Sequence, residues 1–458
     1  MRGFLASSIG VTCAAALALP LTLTAATATA RPAPAAERST GAAPDLPGGT
    51  QSLPLVPLAD RRALGSTAVQ GLTRRDVRHF SLLGVIWDDP ASELRGSVQV
   101  RTRGAVTGQW SGWQDVETHN AEHSADPGTA ERTSRRVHGA TAPLWVGDSD
   151  GVEVRVWATA QSRVEETGRG GRTVTTGTPL PAGLRLELVD PGRADDVSRG
   201  SPAYSPRTGA LSPGAATASA ANSGLAPLGA TVIPALSRAR TTAEAVASGL
   251  GDTVTTPKIG PRPVIVTRRG WGADETLREK TFVYTSQAKA AFVHHTASGN
   301  QYLCSQAPSV IRGIYRYHVK SMGWRDIGYN FLVDRCGNIY EGRAGGVAKP
   351  VMGAHTLGFN SNSTGIAVLG TFSSTKPSAS AVKAIARLTA WKLGLHGMNP
   401  AGTTYLTSGG GNLYQKGKNV RLNVISGHRD GFATECPGGL LYGKLGTVRS
   451  DAALLQGR

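Results

Sequence analysis

Between residues 192 and 262 the chain reads "SPAYSPRTGALSPGAATASAANSG" and continues in the same vein. Small residues and prolines dominate, so the stretch has little apolar surface with which to offset the entropy of ordering. This feature constrains the fold most, because it separates two dense regions that must each build a core. The length of 458 residues fits two or three domains. The expected organisation is a cleavable leader at 1–30, a flexible Pro/Ala/Gly/Thr-rich segment at 31–77, and a β-rich module at 78–191. A disordered linker at 192–262 follows, with one short helix near "SRARTTAEAVASGL", and then a second domain at 263–450.

The opening "MRGFLASSIGVTCAAALALPLTLTAATATA" carries an early positive charge, a short apolar core and the small-residue site Ala28-Thr29-Ala30. That pattern is a secretory signal peptide cut after Ala30. Its apolar run is short for a membrane span, and no other segment is apolar enough for stable membrane insertion. An exported chain meets oxidising conditions, where disulfides persist. After cleavage it keeps Cys304, Cys336 and Cys436, an odd number that leaves one thiol over. A net charge of +17 implies attraction to polyanions such as anionic wall polymers. No nucleic-acid motif accompanies that charge, so nucleic acid is not an expected partner.

In 78–191 the segments "FSLLGVIW", "GSVQVRTR", "WSGWQDVE", "APLWVGDSDGVEVRVWA" and "GLRLELVD" alternate apolar and polar residues between Gly, Asp and Pro breaks. They predict a small all-β, sandwich-like domain. The polar stretch 120–136 reads as a long loop. In 263–450 the types mix. "AFVHHTA" and "STGIAVLGTF" read as buried strands and "APSVIRGIYRYHVKSMG" as a helix. "YNFLVDRCGNIYEGR" reads as a hairpin turning at "RCGN". "SASAVKAIARLTAWKLG" is a helix with a serine cap and Gly394 as its stop, and "NVISGHRD" ends a short strand. This mixture predicts an α/β domain with a central mixed sheet flanked by helices.

That domain holds His294, His295, His318, His355, His396 and His428 together with Cys436. Two histidines and a cysteine around one zinc leave the fourth position open, which is the form of a catalytic site. His428 follows a strand closely enough to Cys436 for both to reach one ion. His294 and His295 are neighbours in a strand and point to opposite faces, so only one can ligate readily; pattern alone does not choose. His318 reads as a helix-packing residue, His396 as a surface residue at a helix C-terminus, and Glu435 as part of a solvated face.

"RRGWGAD", "FVHHTA", "GWRDIGYNFLVD", "GNIYEGR", "GAHTLGFNSNSTGIAVLG" and "GHRDGFATECPGG" occur in this order. Over residues 264–446 the chain resembles the type-2 N-acetylmuramoyl-L-alanine amidase family, which includes the peptidoglycan recognition proteins. The resemblance implies one Zn2+ held by His294, His428 and Cys436, and so selects His294 over His295. It implies Tyr329 as a hydrogen-bond donor to a developing oxyanion. It places Thr434 where phage-type members carry lysine, a hydroxyl donor without charge. It also implies that His355 and Asn360 contact a muramyl peptide. With Cys436 on the metal, Cys304 and Cys336 are left to pair with each other. The implied activity is hydrolysis of the amide between N-acetylmuramic acid and L-alanine in bacterial peptidoglycan, by a secreted, wall-associated enzyme. The alternative is a non-catalytic muropeptide-binding protein. Members that only bind typically lack a zinc ligand, and here all three are present.

Overall fold

The structure is a computed structural model, and it describes residues 48–58, 69–167, 170–177, 179–192, 211–247 and 257–458. The expected signal peptide and the leader before residue 48 lie outside the described residues. So do parts of the expected linker, at 193–210 and 248–256. Among the described residues no helix is long and apolar enough to cross a membrane.

Among the described residues, the first module is built on an antiparallel sheet of eight strands, with a separate hairpin at Ala160–Thr167/Gly170–Gly177. Two long strands, Val69–Trp87 and Leu144–Ala158, lie side by side at its centre, and bulges break their register at several points. Such bulges bend a strand and raise its twist. Leu83, Val85, Trp87, Val98, Val154 and Leu188 fill the module's own core.

Among the described residues, the second domain has a seven-stranded mixed sheet. Parallel strands Ser363–Val368, Ala290–His295 and Ile425–Gly427 lie at one side, and the hairpin Phe331–Val333/Ile339–Glu341 lies toward the other. The hairpin turn forms because the Asp334 carboxylate accepts from the backbone N–H groups of Cys336 and Asn338, both at 2.9 Å. Helix Ala379–Gly394 covers one face; Ser378 caps it by accepting from Ala381 N at 3.0 Å. Gly394 is its last residue, and the left-handed turn that ends the element comes at Gly397. Helix Ala307–Arg316 covers the other face with Val310, Ile311 and Ile314 fully buried. It is shorter than its pattern suggests, because a π-turn, Tyr317–Ser321, continues the chain. A disulfide ties Cys304, at the start of this helical segment, to Cys336 in the hairpin turn, with Cα atoms 6.2 Å apart.

Order extends further into the two small-residue stretches than their composition suggests. Strand Thr50–Pro54 pairs with Arg185–Val189, inside the region expected to be a flexible leader. Within the expected linker, the helix expected near "SRARTTAEAVASGL" forms at Arg238–Ala247; beyond that expectation, a second helix forms at Pro213–Ala220 and Val232–Ile233 adds an edge strand to the second domain's sheet. These pieces are ordered by what they dock on. The Asn222 side chain donates to the buried Glu341 carboxylate at 2.8 Å, and Arg262 binds both Glu244 oxygens.

The reading of "FSLLGVIW" as alternating is corrected by the structure: residues 80–87 are buried on both faces. Leu83, Val85 and Trp87 point into the first module's core. Leu82 and Ile86 instead pack with Val310, Ile311 and Ile314 of the second domain in one shared cluster. A strand covered on both sides reads as a continuous apolar run.

Candidate metal centre and groove

His294 sits near the C-terminal end of strand Ala290–His295, and His428 follows directly on the adjacent parallel strand Ile425–Gly427. Both imidazoles therefore emerge at the same edge of the sheet, where ligands bind in open α/β sheets. His428 opens a short 3-10 turn, pinned by Asp430, which accepts from Gly427 N at 2.9 Å and from the Tyr442 hydroxyl at 2.6 Å. Arg429 N donates to the Cys436 carbonyl at 3.1 Å, which folds the loop back and brings the thiol to the histidines. His295 points away, and its Nδ1 accepts from Phe372 N at 3.3 Å.

The structure brings His294, His428 and Cys436 together and adds a donor that the sequence reading missed. His123, from the long polar loop of the first module, enters the same cluster. All four side chains are buried, and their donor atoms lie within 4.8 Å of one another. His123 Nε2 is 3.2 Å from His428 Nδ1 and 3.4 Å from Cys436 Sγ, and Cys436 Sγ is 3.8 Å from His294 Nδ1. Zinc–nitrogen bonds of about 2.0–2.1 Å and zinc–sulfur bonds of about 2.3 Å give tetrahedral edges of roughly 3.3 Å and 3.6 Å. The observed edges match that scale.

Donor chemistry agrees. Burial, and then the neighbouring histidines, push His294 and His428 well below the ordinary imidazole range; burial lowers His123 to about 4. All three rings are therefore neutral, which is the ligating form. Burial pushes the Cys436 thiol well up, so a thiolate in this pocket needs a cation beside it. Among the described residues, the ring nitrogens His123 Nδ1 and His428 Nε2 are buried without a hydrogen-bond partner. The second nitrogen of His294 faces the Thr356 hydroxyl at 3.4 Å, a contact that can hold the ring's orientation. The residues thus fit a thiophilic divalent ion such as zinc.

Tyr329 is buried beside the cluster, its ring centroid 5.6 Å from that of His294. Burial, with Cys436 and Glu122 close by, pushes its phenol well up, so it stays a donor. His318 packs in the core against Trp324 and accepts from Gly328 N at 3.1 Å. His396 is half-buried rather than on the surface, and burial lowers it to about 3. Thr434 stands two residues before Cys436, and its hydroxyl donates to the Glu122 carboxylate at 2.7 Å. His355 is fully buried 5.2 Å, ring to ring, from His294. The Asn360 side-chain oxygen accepts from His355 N at 2.7 Å, and its amide donates to Ser124 O at 2.8 Å and Asp126 Oδ1 at 2.7 Å. The first module therefore engages Asn360, one of the two residues expected to contact substrate, and Thr434, expected as a hydroxyl donor in catalysis. A cleft of about 800 Å³ between the two modules is lined by Glu93, Arg95, His119, Glu122, Thr434 and Cys436, among others.

Of the participants missed from sequence, Glu122, His123, Asp126 and Glu131 sit in the polar stretch 120–136. Nothing in its composition separates it from a solvated loop. Its one local signal is Asp126-Pro127-Gly128-Thr129, which encodes a type II turn. Thr129 N donates to Asp126 O at 3.2 Å, and Gly128 has φ +79°.

Fold and site together define an α/β domain with a buried three-nitrogen, one-sulfur candidate metal centre, fused to a β-rich module. Residues 284–439 match the N-acetylmuramoyl-L-alanine amidase family, and residues 29–176 match the family described as "Rv3811 N-terminal galactose-binding domain-like". The chain is 31% identical over 185 residues to peptidoglycan-recognition protein SC2 of Drosophila simulans, spanning 40% of this chain and 85% of that protein. It is 36% identical over 122 residues to peptidoglycan recognition protein 3 of Homo sapiens, 27% of this chain and 34% of that one. Among solved structures, Drosophila PGRP-LB aligns at 26% identity and a TM-score of 0.32, over 40% of this chain and 92% of that one. The chain belongs to the type-2 amidase and peptidoglycan-recognition protein family.

Proposed function

We propose that this chain is an exported, zinc-dependent N-acetylmuramoyl-L-alanine amidase acting on bacterial peptidoglycan. One observation carries the reading: His294, His428 and Cys436 meet at the C-terminal edge of the sheet beside Tyr329, in a chain whose residues 284–439 match the amidase family. The three side chains would hold zinc. When bound, the ion supplies Lewis acidity and a water activated near neutral pH. The neutral rings and the buried thiol set the ligand charge. Tyr329, protonated throughout, donates to the carbonyl oxygen as negative charge develops on it. The Thr434 hydroxyl is a second donor once Glu122 is off it. His355 and Asn360 line the groove for the muramyl peptide. Export agrees with the Cys304–Cys336 disulfide and with a net charge of +17 suited to an anionic wall.

The test is release of new L-alanine N-termini from purified peptidoglycan, with and without a chelator. Metal-dependent release supports the amidase. Wall binding without new amines under every condition, including after opening of the groove as described below, would give the site to a muropeptide-binding protein. That second reading is favoured by the fourth donor, His123, because a metal with four protein ligands has no open position.

A further inference from the structure

The loop that delivers His123 does more than touch the metal centre. Along residues 122–131 it lies against the second domain and satisfies polar groups there one after another, Thr434 and Asn360 among them. The Glu122 carboxylate accepts from the Thr434 hydroxyl at 2.7 Å, and the Glu122 carbonyl accepts from Leu357 N at 2.9 Å. Asp126 Oδ1 accepts from Gly358 N at 2.8 Å and from the Asn360 amide at 2.7 Å. The Asp-Pro-Gly turn then reverses the chain, and Glu131 takes both nitrogens of the Arg343 guanidinium, at 2.8 and 2.9 Å, in a buried, two-pronged pair. Burial works against the Glu131 carboxylate, but Arg343 and Arg325 together outweigh it and hold the carboxyl below its usual range. Residues 122–126 and Glu131 are buried, whereas Pro127, Gly128 and Ala130 are exposed. Every carboxylate of this segment meets a donor of the second domain.

We propose that residues 120–131 of the first module are a built-in competitor for the substrate groove, with His123 as the fourth protein ligand of the metal, so that this conformation is latent. The inference rests on the amidase reading of the same site. The segment presents three carboxylates and a backbone carbonyl to donors of the second domain, Thr434 and Asn360 of the expected substrate site among them, and a carboxylate-bearing peptide on a glycan is the chemistry that would replace it. Substrate and segment claim the same hydrogen bonds, so binding one requires release of the other. His123 and Glu122 withdraw together, being adjacent. Their departure frees in one motion the metal's fourth position and the Thr434 hydroxyl. Apparent affinity for a soluble muropeptide is therefore reduced by the fraction of molecules in which the segment is out.

The test uses the full-length, metal-loaded chain. X-ray absorption at the zinc edge of the unmodified protein is expected to show three nitrogens and one sulfur. His123→Ala is expected to replace one nitrogen by a water oxygen. In parallel, calorimetry with a soluble muramyl tripeptide is expected to show binding at least about tenfold tighter in His123→Ala and in the double variant Asp126→Asn/Glu131→Gln. That double variant leaves all four donor residues in place and covers the case in which His123→Ala fails to fold. Cleavage of peptidoglycan is expected to rise in the same order. A spectrum of the unmodified protein with two nitrogens, one sulfur and an exchangeable oxygen, or equal muropeptide affinity in all three proteins, overturns the latency. Should neither variant cleave while both the spectrum and the affinity shift as expected, the competitor stands and the hydrolase reading fails. Should the unmodified protein cleave as fast as both variants, the reverse holds.

Discussion

At the residue scale, the three second-domain members of the cluster are legible because a chain read as exported needs a reason to keep an odd cysteine, and the ordered family motifs supply one. His123 was not legible. It is a single histidine in a polar loop, and what makes it a donor is a tertiary approach across about three hundred positions of sequence, 305 to His428 and 313 to Cys436. Its presence changes what a cysteine variant should do. Cys436→Ala leaves three imidazoles around one point, a set that suffices for zinc in catalytic sites. The single variant should keep its metal with weakened affinity, and Cys436→Ala/His123→Ala should lose it on dialysis. Metal analysis reads both, and complete loss from the single variant would remove His123 from the ligand set. Tyr329→Phe, by contrast, removes no donor to the metal. Measured in the opened His123→Ala background, it should leave metal content unchanged and slow turnover by roughly two to three orders of magnitude, the scale of one lost oxyanion donor.

At the element scale, periodicity and cap signals located the hairpin, the Ser378-capped helix and the histidine strand. They failed where an element is defined by what covers it. "FSLLGVIW" looked like a strand with one wet face, yet Leu82 and Ile86 are covered by the helix Ala307–Arg316. The edge strand at Val232–Ile233 lies in a stretch where composition argues against order apart from one short helix. Tertiary docking supplies what local propensity lacks there. The disulfide is an element-scale device of the same kind, since it joins the start of that helical segment to the hairpin turn over a separation of 32 residues. Closing a loop of that size restricts the unfolded chain by about 3–4 kcal/mol in the entropic picture. The pair Cys304→Ala/Cys336→Ala should therefore lose about that much stability in denaturant titration. Its zinc content should stay unchanged, because neither sulfur belongs to the cluster of donors.

At the scale of the whole molecule, the two modules predicted as beads on a linker are joined by a common core. Leu82, Ile86, Trp145 and Val189 from the first module share one cluster with Val310, Ile314, Tyr315 and Tyr317 from the second. The Tyr317 hydroxyl donates to the Thr141 carbonyl at 3.1 Å, and Ser321 donates to the buried Glu187 carboxylate at 2.8 Å. A shared apolar core couples the unfolding of both halves, because exposing either face strands the other in water. The chain should then unfold in one transition, with far-UV circular dichroism and tryptophan fluorescence giving coincident midpoints. Gly84 is the place to probe this coupling. A Cβ there would sit 2.3 Å from the Tyr317 hydroxyl oxygen, and the ring cannot retreat without giving up its bond to Thr141. Gly84→Val should lower stability by about 1–3 kcal/mol, the range for overpacking a close contact. By loosening the face that carries the 120–131 segment, it should also raise muropeptide affinity. A lowered midpoint with unchanged affinity would show that the module interface stabilises the molecule without holding the segment in its groove.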